Sequence, residues 1–287
     1  MNKKIIIVMM AVLLAVSIAV LGGCAPQQAD PAAPGAVPEG TPAEALTGRL
    51  VVGGSTSVAV VADYLAERFM AAYPGIVVEV HHTGSGAGIT GANEGAVDIG
   101  MSSRWLEAEE RGFGLSEFVI CHDALAPIVH PDNPVTDLTL EQLRKIFLGE
   151  IANWTEVGGN DLPITVVVRE AGSGTRDAWE GISHEDIEPY EELVGMGTGG
   201  VKAMVAGDPS AISYVTVAAL DETVRALKVG GVEPTAETVL AEEYAITRPF
   251  LFVTKGDPSP LAQQFIDFVL GPEGQQLLAD EGMVRVR

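Results

Sequence analysis

Hydrophobic residues follow two alternating patterns along this chain: short apolar runs, and longer stretches in which they recur every three or four positions. Residues 50–53 form an apolar run, and helical spacing follows over 56–73, where Val58, Leu65 and Phe69 are examples. Further strands are predicted over 76–81, 97–101, 124–130, 164–169, 211–217, 224–229 and 250–254, and further helices over 89–96, 139–148 and 261–280. This alternation predicts an α/β fold with mostly parallel sheets, in which ligands bind at the carboxyl ends of strands.

The first 47 residues lack this alternation. Two lysines precede an uncharged apolar stretch at 5–21, which predicts a signal peptide over 1–23. A membrane-spanning helix is the alternative, because this stretch has the minimum length for crossing a bilayer. Cys24 follows two small residues and resembles the lipidated cysteine of a bacterial lipobox. Residues 24–47 are rich in Pro and Ala, which predicts a disordered tether behind that cysteine.

The charge balance is strongly acidic. The chain has 39 Asp and Glu against 17 Lys and Arg, a net charge of −22, and loss of the two signal lysines would make it −24. This balance argues against a nucleic-acid partner and against electrostatic attachment to an anionic membrane, so we expect membrane contact through the lipid anchor only. An anionic ligand would need local donors in a deep site.

Cysteine and histidine offer no obvious chemistry. Cys24 and Cys121 are the two cysteines, so lipidation of the first leaves no intrachain disulfide, and Cys121 is expected to be a small buried residue at the end of a strand. His81 and His82 are neighbours on a predicted strand and therefore point to opposite faces, as do Cys121 and His122. The sequence also lacks a Gly-x-Ser-x-Gly elbow and a Gly-x-x-x-x-Gly-Lys-Ser/Thr phosphate loop. We therefore predict no catalytic residues, no metal and no cofactor.

Three short turns rich in glycine and hydroxyl residues each follow a predicted strand and open a predicted helix. They span 53–57, 84–88 and 172–176, with Arg169 and Arg176 beside the third. Helix N-termini present unpaired N–H groups and partial positive charge, hydroxyls add donors, and glycine lets an anion approach the backbone. Together the turns predict a pocket for a small tetrahedral anion.

Two polar features near these turns are expected to be structural. Asp98 lies at the end of an apolar strand, where we expect it to anchor the following loop. The glycine-rich stretch 195–200 also precedes a helix, and we expect it to be simply the start of that helix.

Four motifs carry a resemblance to a known family. They are Gly-Ser-Thr-Ser-Val at 54–58, Gly-Ser-Gly-Ala-Gly at 84–88, Asp-Ile-Gly-Met-Ser-Ser-Arg at 98–104 and Arg-Glu-Ala-Gly-Ser-Gly-Thr-Arg at 169–176. In this order they resemble the phosphate-binding proteins, the receptors of high-affinity phosphate ABC transporters. The resemblance implies a type II periplasmic-binding-protein fold, in which two α/β lobes joined by two crossing strands close over the ligand. The implied lobes are residues 48–123 with 248–287, and residues 124–247.

The resemblance also implies which residues bind inorganic phosphate. They are Ser55, Thr56, Ser57, Ser85, Ser103, Arg104, Arg169, Ser173, Gly174, Thr175 and Arg176. In this assignment Arg169 is the charged donor, and residues 173–175 wrap the anion from the second lobe. Arg104 either adds charge or pairs elsewhere, and Arg176 either contacts the ligand or pairs the lobes.

One departure from the family concerns selectivity. Ser103 stands where longer members carry an aspartate that accepts the proton of hydrogen phosphate, so a receptor for another oxyanion, such as sulfate, molybdate or a phosphonate, is an alternative. A secreted hydrolase or surface interaction protein on the same fold is a second alternative. The implied partners are the permease and ATPase subunits of an ABC importer, with the receptor a monomer anchored at the outer face of the cytoplasmic membrane.

Overall fold

The structure, a computed structural model, describes residues 47–183 and 193–286. The predicted signal peptide, Cys24 and nearly all of the predicted tether lie outside the described residues. The strands are β1 Gly48–Gly54, β2 Ile76–His82, β3 Ile99–Ser102, β4 Leu115–Val129, β5 Asp137–Leu138, β6 Thr165–Arg169, β7 Leu193–Gly195, β8 Ala211–Thr216, β9 Arg225–Ala226, β10 Lys228–Val229, β11 Thr247–Lys255 and β12 Val284–Arg285. The helices are α1 Thr56–Ala72, α2 Ser85–Glu94, α3 Leu140–Phe147, α4 Gly174–Ser183, α5 Gly197–Gly207, α6 Ala236–Leu240, α7 Pro260–Leu270 and α8 Pro272–Asp280.

Most helices begin where the sequence supplies a cap. Ser55 caps α1, since its Oγ accepts a hydrogen bond from Val58 N at 3.3 Å. Thr139 and Gln142 form the predicted capping box of α3, which is confirmed. Helix α2 begins at Ser85, four residues before the apolar pattern that predicted it over 89–96. The pattern missed this turn because it holds glycine, serine and alanine rather than large apolar residues.

A continuous path of strands in the order β2-β1-β3-β11-β4-β8-β6-β7 runs through the described chain. Its outer pairs are parallel, as predicted: β1 with β2 and β3, and β6 with β7 and β8. Its centre is antiparallel, where β11 pairs with β3 and β4, and β4 with β8. The prediction of mostly parallel sheets is therefore wrong for the centre, because those strands run between the two halves rather than belonging to βαβ units.

Strands β4 and β11 are the crossing strands. Residues 115–124 of β4 pair with β11, and from Leu125 onward β4 pairs with β8 instead. The strand predicted at 124–130 is thus the second half of a 15-residue strand. Its first half contains Glu117, His122 and Asp123, which concealed it from an apolar pattern. Cys121 is buried, as predicted, but it lies inside β4 and not at a strand end.

The apolar core is divided between the two lobes that the crossing strands join. One cluster combines residues 50–121 with 250–283, and Phe69, Phe252 and Phe265 pack ring against ring within it. Another lies within residues 124–246, where the rings of Trp179 and Tyr214 stack 4.6 Å apart. The predicted lobe boundaries at 123/124 and 247/248 stay a prediction, which this division of the core supports.

A buried ion pair ties the crossing strands together. Asp123 and Arg248 face each other in register, with Arg248 Nε 2.8 Å from Asp123 Oδ2. The other carboxylate oxygen of Asp123 accepts a hydrogen bond from Thr216 Oγ1 at 2.8 Å, which adds β8 to the junction. The pair thus fixes the point at which the lobes diverge.

None of the helices in the described ranges combines the length and the hydrophobicity needed to cross a bilayer.

Candidate functional site

The N-termini of four helices meet where the two lobes face each other. Helices α1 and α2 come from the first lobe, and α4 and α5 come from the second. Gly86 N at the start of α2 donates to Gly172 O before α4 at 3.2 Å, and Thr56 Oγ1 of α1 lies 3.1 Å from Thr198 Oγ1 of α5. Because helix N-termini carry unpaired N–H groups and partial positive charge, this place favours an anion.

Six hydroxyl side chains fill the space between these helix ends, and we call them the hydroxyl cluster: Thr56, Ser57, Ser85, Ser103, Thr175 and Thr198. Ser57 Oγ lies 2.9 Å from Thr175 Oγ1 and 3.2 Å from Thr198 Oγ1. Ser103 Oγ lies 3.3 Å from Ser85 Oγ and 3.5 Å from Thr175 Oγ1. A hydroxyl can donate and accept, so these groups can bond to one another or turn toward the oxygens of a ligand.

Arg169 supplies the positive charge of the site. It ends β6, and its side chain is only 2% exposed. Its Nη2 donates to Thr56 Oγ1 at 2.9 Å, across the interface between the lobes. Its Nε and Nη2 donate to the two oxygens of Glu170 at 2.9 and 2.8 Å. Partial burial by itself would raise the pKa of Glu170. The hydrogen bonds from Arg169 outweigh this effect and hold the pKa of Glu170 below its usual value.

The hydrogen bonds around Thr56 fix the direction in which its hydroxyl donates. Thr56 Oγ1 accepts from Arg169 Nη2 and, at 3.2 Å, from Thr198 N. A hydroxyl oxygen has two acceptor positions, and these two bonds use both. The Thr56 proton must therefore be donated, either to Thr198 Oγ1 or to a ligand oxygen.

Arg104 lies beside the hydroxyl cluster, but its guanidinium is directed to carboxylates. Its Nε donates to Asp177 Oδ2 at 2.7 Å, and its Nη1 and Nη2 donate to Glu110 at 2.6 and 2.9 Å. Although burial opposes the shift, Arg104 and a backbone N–H hold the pKa of Glu110 below its usual value. Desolvation raises the pKa of Asp177 despite its bond to Arg104. These carboxylate partners support the second of the two roles considered for Arg104, pairing elsewhere, and its role at the ligand stays a prediction.

The remaining predicted residues border the cluster and shape its walls. Ser55 caps α1, and Ser173 Oγ accepts from Arg176 N at 3.3 Å at the start of α4. Gly174 packs against the first lobe so closely that an added Cβ would lie 2.7 Å from Ser85 Cβ. Arg176 donates to Glu180 at 2.6 Å and to Arg169 O at 3.1 Å, both in its own lobe.

Sequence reasoning missed Thr198 and Glu170. Residues 195–200, which include Thr198, were expected to be simply the start of a helix. The Thr198 hydroxyl instead forms hydrogen bonds with those of Thr56 and Ser57 in the other lobe. Glu170 Oε2 also accepts from Gly197 N at 3.0 Å, which orients the start of α5. The available signal for Thr198 was a Gly-Thr pair opening a helix directly after a strand, the same arrangement as in the three predicted turns.

Two glycines of the predicted turns serve packing. An added Cβ on Gly88 would lie 2.6 Å from Gly54 Cα, and one on Gly54 would lie 2.8 Å from Met101 N. Helix α2 therefore lies directly on β1 and β3, which sets the position of Ser85. Asp98 is structural, as expected, but its carboxylate accepts from Val51 N of β1 at 2.7 Å rather than anchoring the next loop.

The histidine pair forms separate contacts. His82 Nε2 lies 3.0 Å from Asp63 Oδ2, while His81 Nε2 lies 3.8 Å from Glu79 Oε2. Across the described residues, no group of three or more His, Cys, Asp or Glu side chains is placed to hold a metal ion.

A two-lobed α/β fold with crossing strands and a polar site between the lobes defines the class of periplasmic-type binding proteins. A profile of the PBP superfamily domain matches residues 39–273. The chain is 34% identical over 247 residues to the phosphate-binding protein PstS of Bacillus subtilis (strain 168), covering 85% of this chain and 82% of that protein. The chain belongs to the PBP superfamily and, within it, to the PstS family of phosphate-binding proteins.

Solved structures agree with this assignment. A Clostridium perfringens substrate-binding protein, assigned to a phosphate ABC transporter and solved with bound phosphate, is 43% identical with a TM-score of 0.81; the match covers 84% of this chain and all of that one. An ABC-type phosphate transport receptor from Vibrio cholerae is 34% identical with a TM-score of 0.67; the match covers 82% of this chain and 99% of that one.

Proposed function

We propose that this protein is an extracytoplasmic receptor that binds one inorganic phosphate ion between its lobes and delivers it to an ABC importer. The observation that carries the proposal is the buried Arg169 beside the hydroxyl cluster, at the meeting point of four helix N-termini. These groups are donors of the kind that bind phosphate oxygens. Family membership and a relative solved with phosphate support the choice of ligand.

The site is proposed to bind phosphate without transforming it. In the described part of the chain, the hydroxyl cluster forms its hydrogen bonds with other hydroxyls, backbone N–H groups and Arg169, and none reaches a histidine or a carboxylate. Activation of a hydroxyl nucleophile needs such a base within hydrogen-bonding distance. This arrangement supports a receptor over a hydrolase.

We further propose that the receptor is a monomer, exported by its signal peptide and attached to the outer face of the cytoplasmic membrane through a lipid on Cys24. The permease and ATPase subunits of a phosphate importer would be its partners. The support is the sequence of residues 1–24 and the acidic charge, which argues against direct binding to anionic lipid. Labelling cells with a radioactive fatty acid should mark the wild-type protein but not the Cys24→Ala variant, and equal labelling of both would contradict lipidation at that residue.

Titration of the purified, ligand-stripped protein with phosphate in a calorimeter tests the central proposal. We expect one phosphate per chain, weaker binding of sulfate, and no hydrolysis of a generic phosphomonoester. Tighter binding of sulfate than of phosphate at neutral pH would indicate a receptor for another oxyanion. Turnover of the ester by highly pure protein would contradict the non-catalytic role.

Replacing Ser103 with aspartate is expected to increase discrimination against sulfate. Ser103 is fully buried in the hydroxyl cluster, 3.3 Å from Ser85 Oγ. A carboxylate there would repel an oxygen of fully ionised sulfate, whereas hydrogen phosphate can bridge to it through its proton. Affinities for both ions should be measured from pH 6 to 8.

The Ser103→Ala variant is the control, because it removes the hydroxyl without adding charge. It should weaken binding of both ions similarly. An unchanged ratio of phosphate to sulfate affinity in Ser103→Asp would mean that the ligand proton is recognised elsewhere in the site.

A further inference from the structure

The guanidinium of Arg104 is surrounded by acceptors of the protein itself. A guanidinium has five N–H donors. In the structure Nε faces Asp177, and Nη1 faces Glu110 and, at 3.0 Å, Trp105 O. Nη2 faces Glu110 and, at 3.1 Å, Glu107 Oε1. Four of the five N–H groups are thus hydrogen-bonded within the protein, and the carboxylate of Glu107 forms an ion pair beside the fifth. The three carboxylates around the guanidinium direct it away from a bound anion.

One of these bonds differs from the others because it joins the lobes. Trp105, Glu107 and Glu110 follow Arg104 in the first lobe, whereas Asp177 lies in the first turn of α4 in the second lobe. The Arg104 side chain is 10% exposed and that of Asp177 is 31% exposed. The stem of Arg104 also packs against the start of α4, since an added Cβ on Gly174 would lie 3.1 Å from Arg104 Cγ.

The negative charge of Asp177 lies close to the proposed anion site. Asp177 lies two positions after Thr175 of the hydroxyl cluster, where an unpaired carboxylate would repel an anion. Arg104 neutralises it and at the same time holds α4 against the first lobe. Other charged groups near the pair are Glu107 and Glu110 beside Arg104, and Glu180 with Arg176 on α4.

We propose that Arg104 is a positioning residue rather than a phosphate ligand: its bond to Asp177 latches the two lobes over the bound ion and slows the release of that ion. The inference rests on the proposed function. It replaces the assignment of Arg104 to the ligand shell with a role in keeping the site closed.

Replacing Asp177 with asparagine tests the latch. The dissociation rate of inorganic phosphate from the otherwise intact protein should rise about ten-fold, the size expected for one lost charge-assisted hydrogen bond. Release can be followed in a stopped-flow mixing experiment with a phosphate-trapping reagent. The direction is diagnostic, because simple electrostatics predicts the opposite: removing a negative charge near an anion should slow its release.

Glu180→Gln is the matched control. It removes a carboxylate from the same helix, but one that pairs with Arg176 within the second lobe. This variant should release phosphate at the wild-type rate. The melting temperature of the ligand-free protein should be measured for both variants, because loss of a merely structural contact would lower it in parallel with the faster release.

Each outcome has a distinct meaning. Wild-type binding of phosphate with unchanged or slower release from Asp177→Asn would overturn the latch and leave the proposed function standing. Much faster release of phosphate from the double variant Arg104→Gln/Asp177→Asn than from Asp177→Asn alone would also overturn the latch, since Arg104 would then act on the ion directly. Failure of the wild-type protein to bind phosphate would overturn the proposed function, and with it the latch.

Discussion

Replacing Arg169 with alanine is expected to weaken phosphate binding by about 100-fold, more than loss of any single hydroxyl in the site. A charge-assisted hydrogen bond contributes about 1.5–3 kcal/mol, against about 0.5–1.5 kcal/mol for a neutral one. Arg169 also neutralises Glu170, so its removal leaves a carboxylate next to the bound anion. Calorimetry on the purified variants measures the effect.

Three hydroxyl deletions provide the comparison: Thr56→Val, Ser85→Ala and Ser173→Ala, each expected to weaken binding by about 2- to 12-fold. Arg49→Gln controls for the loss of a positive charge, because Arg49 is 61% exposed and pairs with Glu79 outside the site. The double variant Arg169→Ala/Glu170→Gln separates the lost donor from the unpaired carboxylate. A larger loss in Ser85→Ala than in Arg169→Ala would show that Arg169 does not hold the anion.

Replacing Gly174 with alanine is expected to prevent full closure and weaken phosphate binding by roughly 10- to 100-fold. The added Cβ would lie 2.7 Å from Ser85 Cβ and 3.1 Å from Arg104 Cγ, both in the opposite lobe. Overpacking of this kind costs about 1–3 kcal/mol. Because the clash lies between the lobes, the penalty falls on the closed state. The melting temperature without ligand should change little, while the phosphate-dependent increase in melting temperature should shrink.

Gly181→Ala is the control in the same helix. An added Cβ on Gly181 meets nothing within 4 Å, so this change should leave phosphate affinity unaltered and stabilise the protein slightly through helix propensity. Wild-type affinity in Gly174→Ala would mean that the lobes close over phosphate with more space than the structure gives them.

The sequence predicts the fold best for elements whose own residues carry the signal, such as apolar spacing or a helix cap. Helix α1 shows its apolar spacing and its serine cap, and β1, β2 and β6 are short runs rich in β-branched residues that end within one or two residues of their predicted bounds. Strand β4 is different, because its environment changes at Leu125, where it exchanges one neighbouring strand for another. A pattern of apolar residues indicates only which positions are buried locally. It cannot show that a partly polar segment and an apolar segment form one continuous strand.

The site follows the same rule. Donors at helix N-termini could be predicted because a serine or threonine beside glycine after a strand is a local signal. The bond between Arg104 and Asp177 could not be predicted, since the two residues are 73 positions apart and only the folded chain brings them together. Thr198 carried a local signal but lacked a neighbouring arginine, and its role became visible only through its contacts with Thr56 and Ser57.

The division of the core has a consequence for the order in which the chain can fold. The cluster of the second lobe is drawn from one uninterrupted stretch, 124–246, so it can assemble before the C-terminal segment is available. The cluster of the first lobe needs Phe250, Phe252 and Phe265, more than 100 residues after Cys121. Part of the apolar surface of residues 50–121 therefore stays exposed until the C-terminal segment packs against it. During that interval the exposed apolar surface makes the chain prone to aggregation, and the lobe that contains the first residues of the fold is the lobe that is completed last.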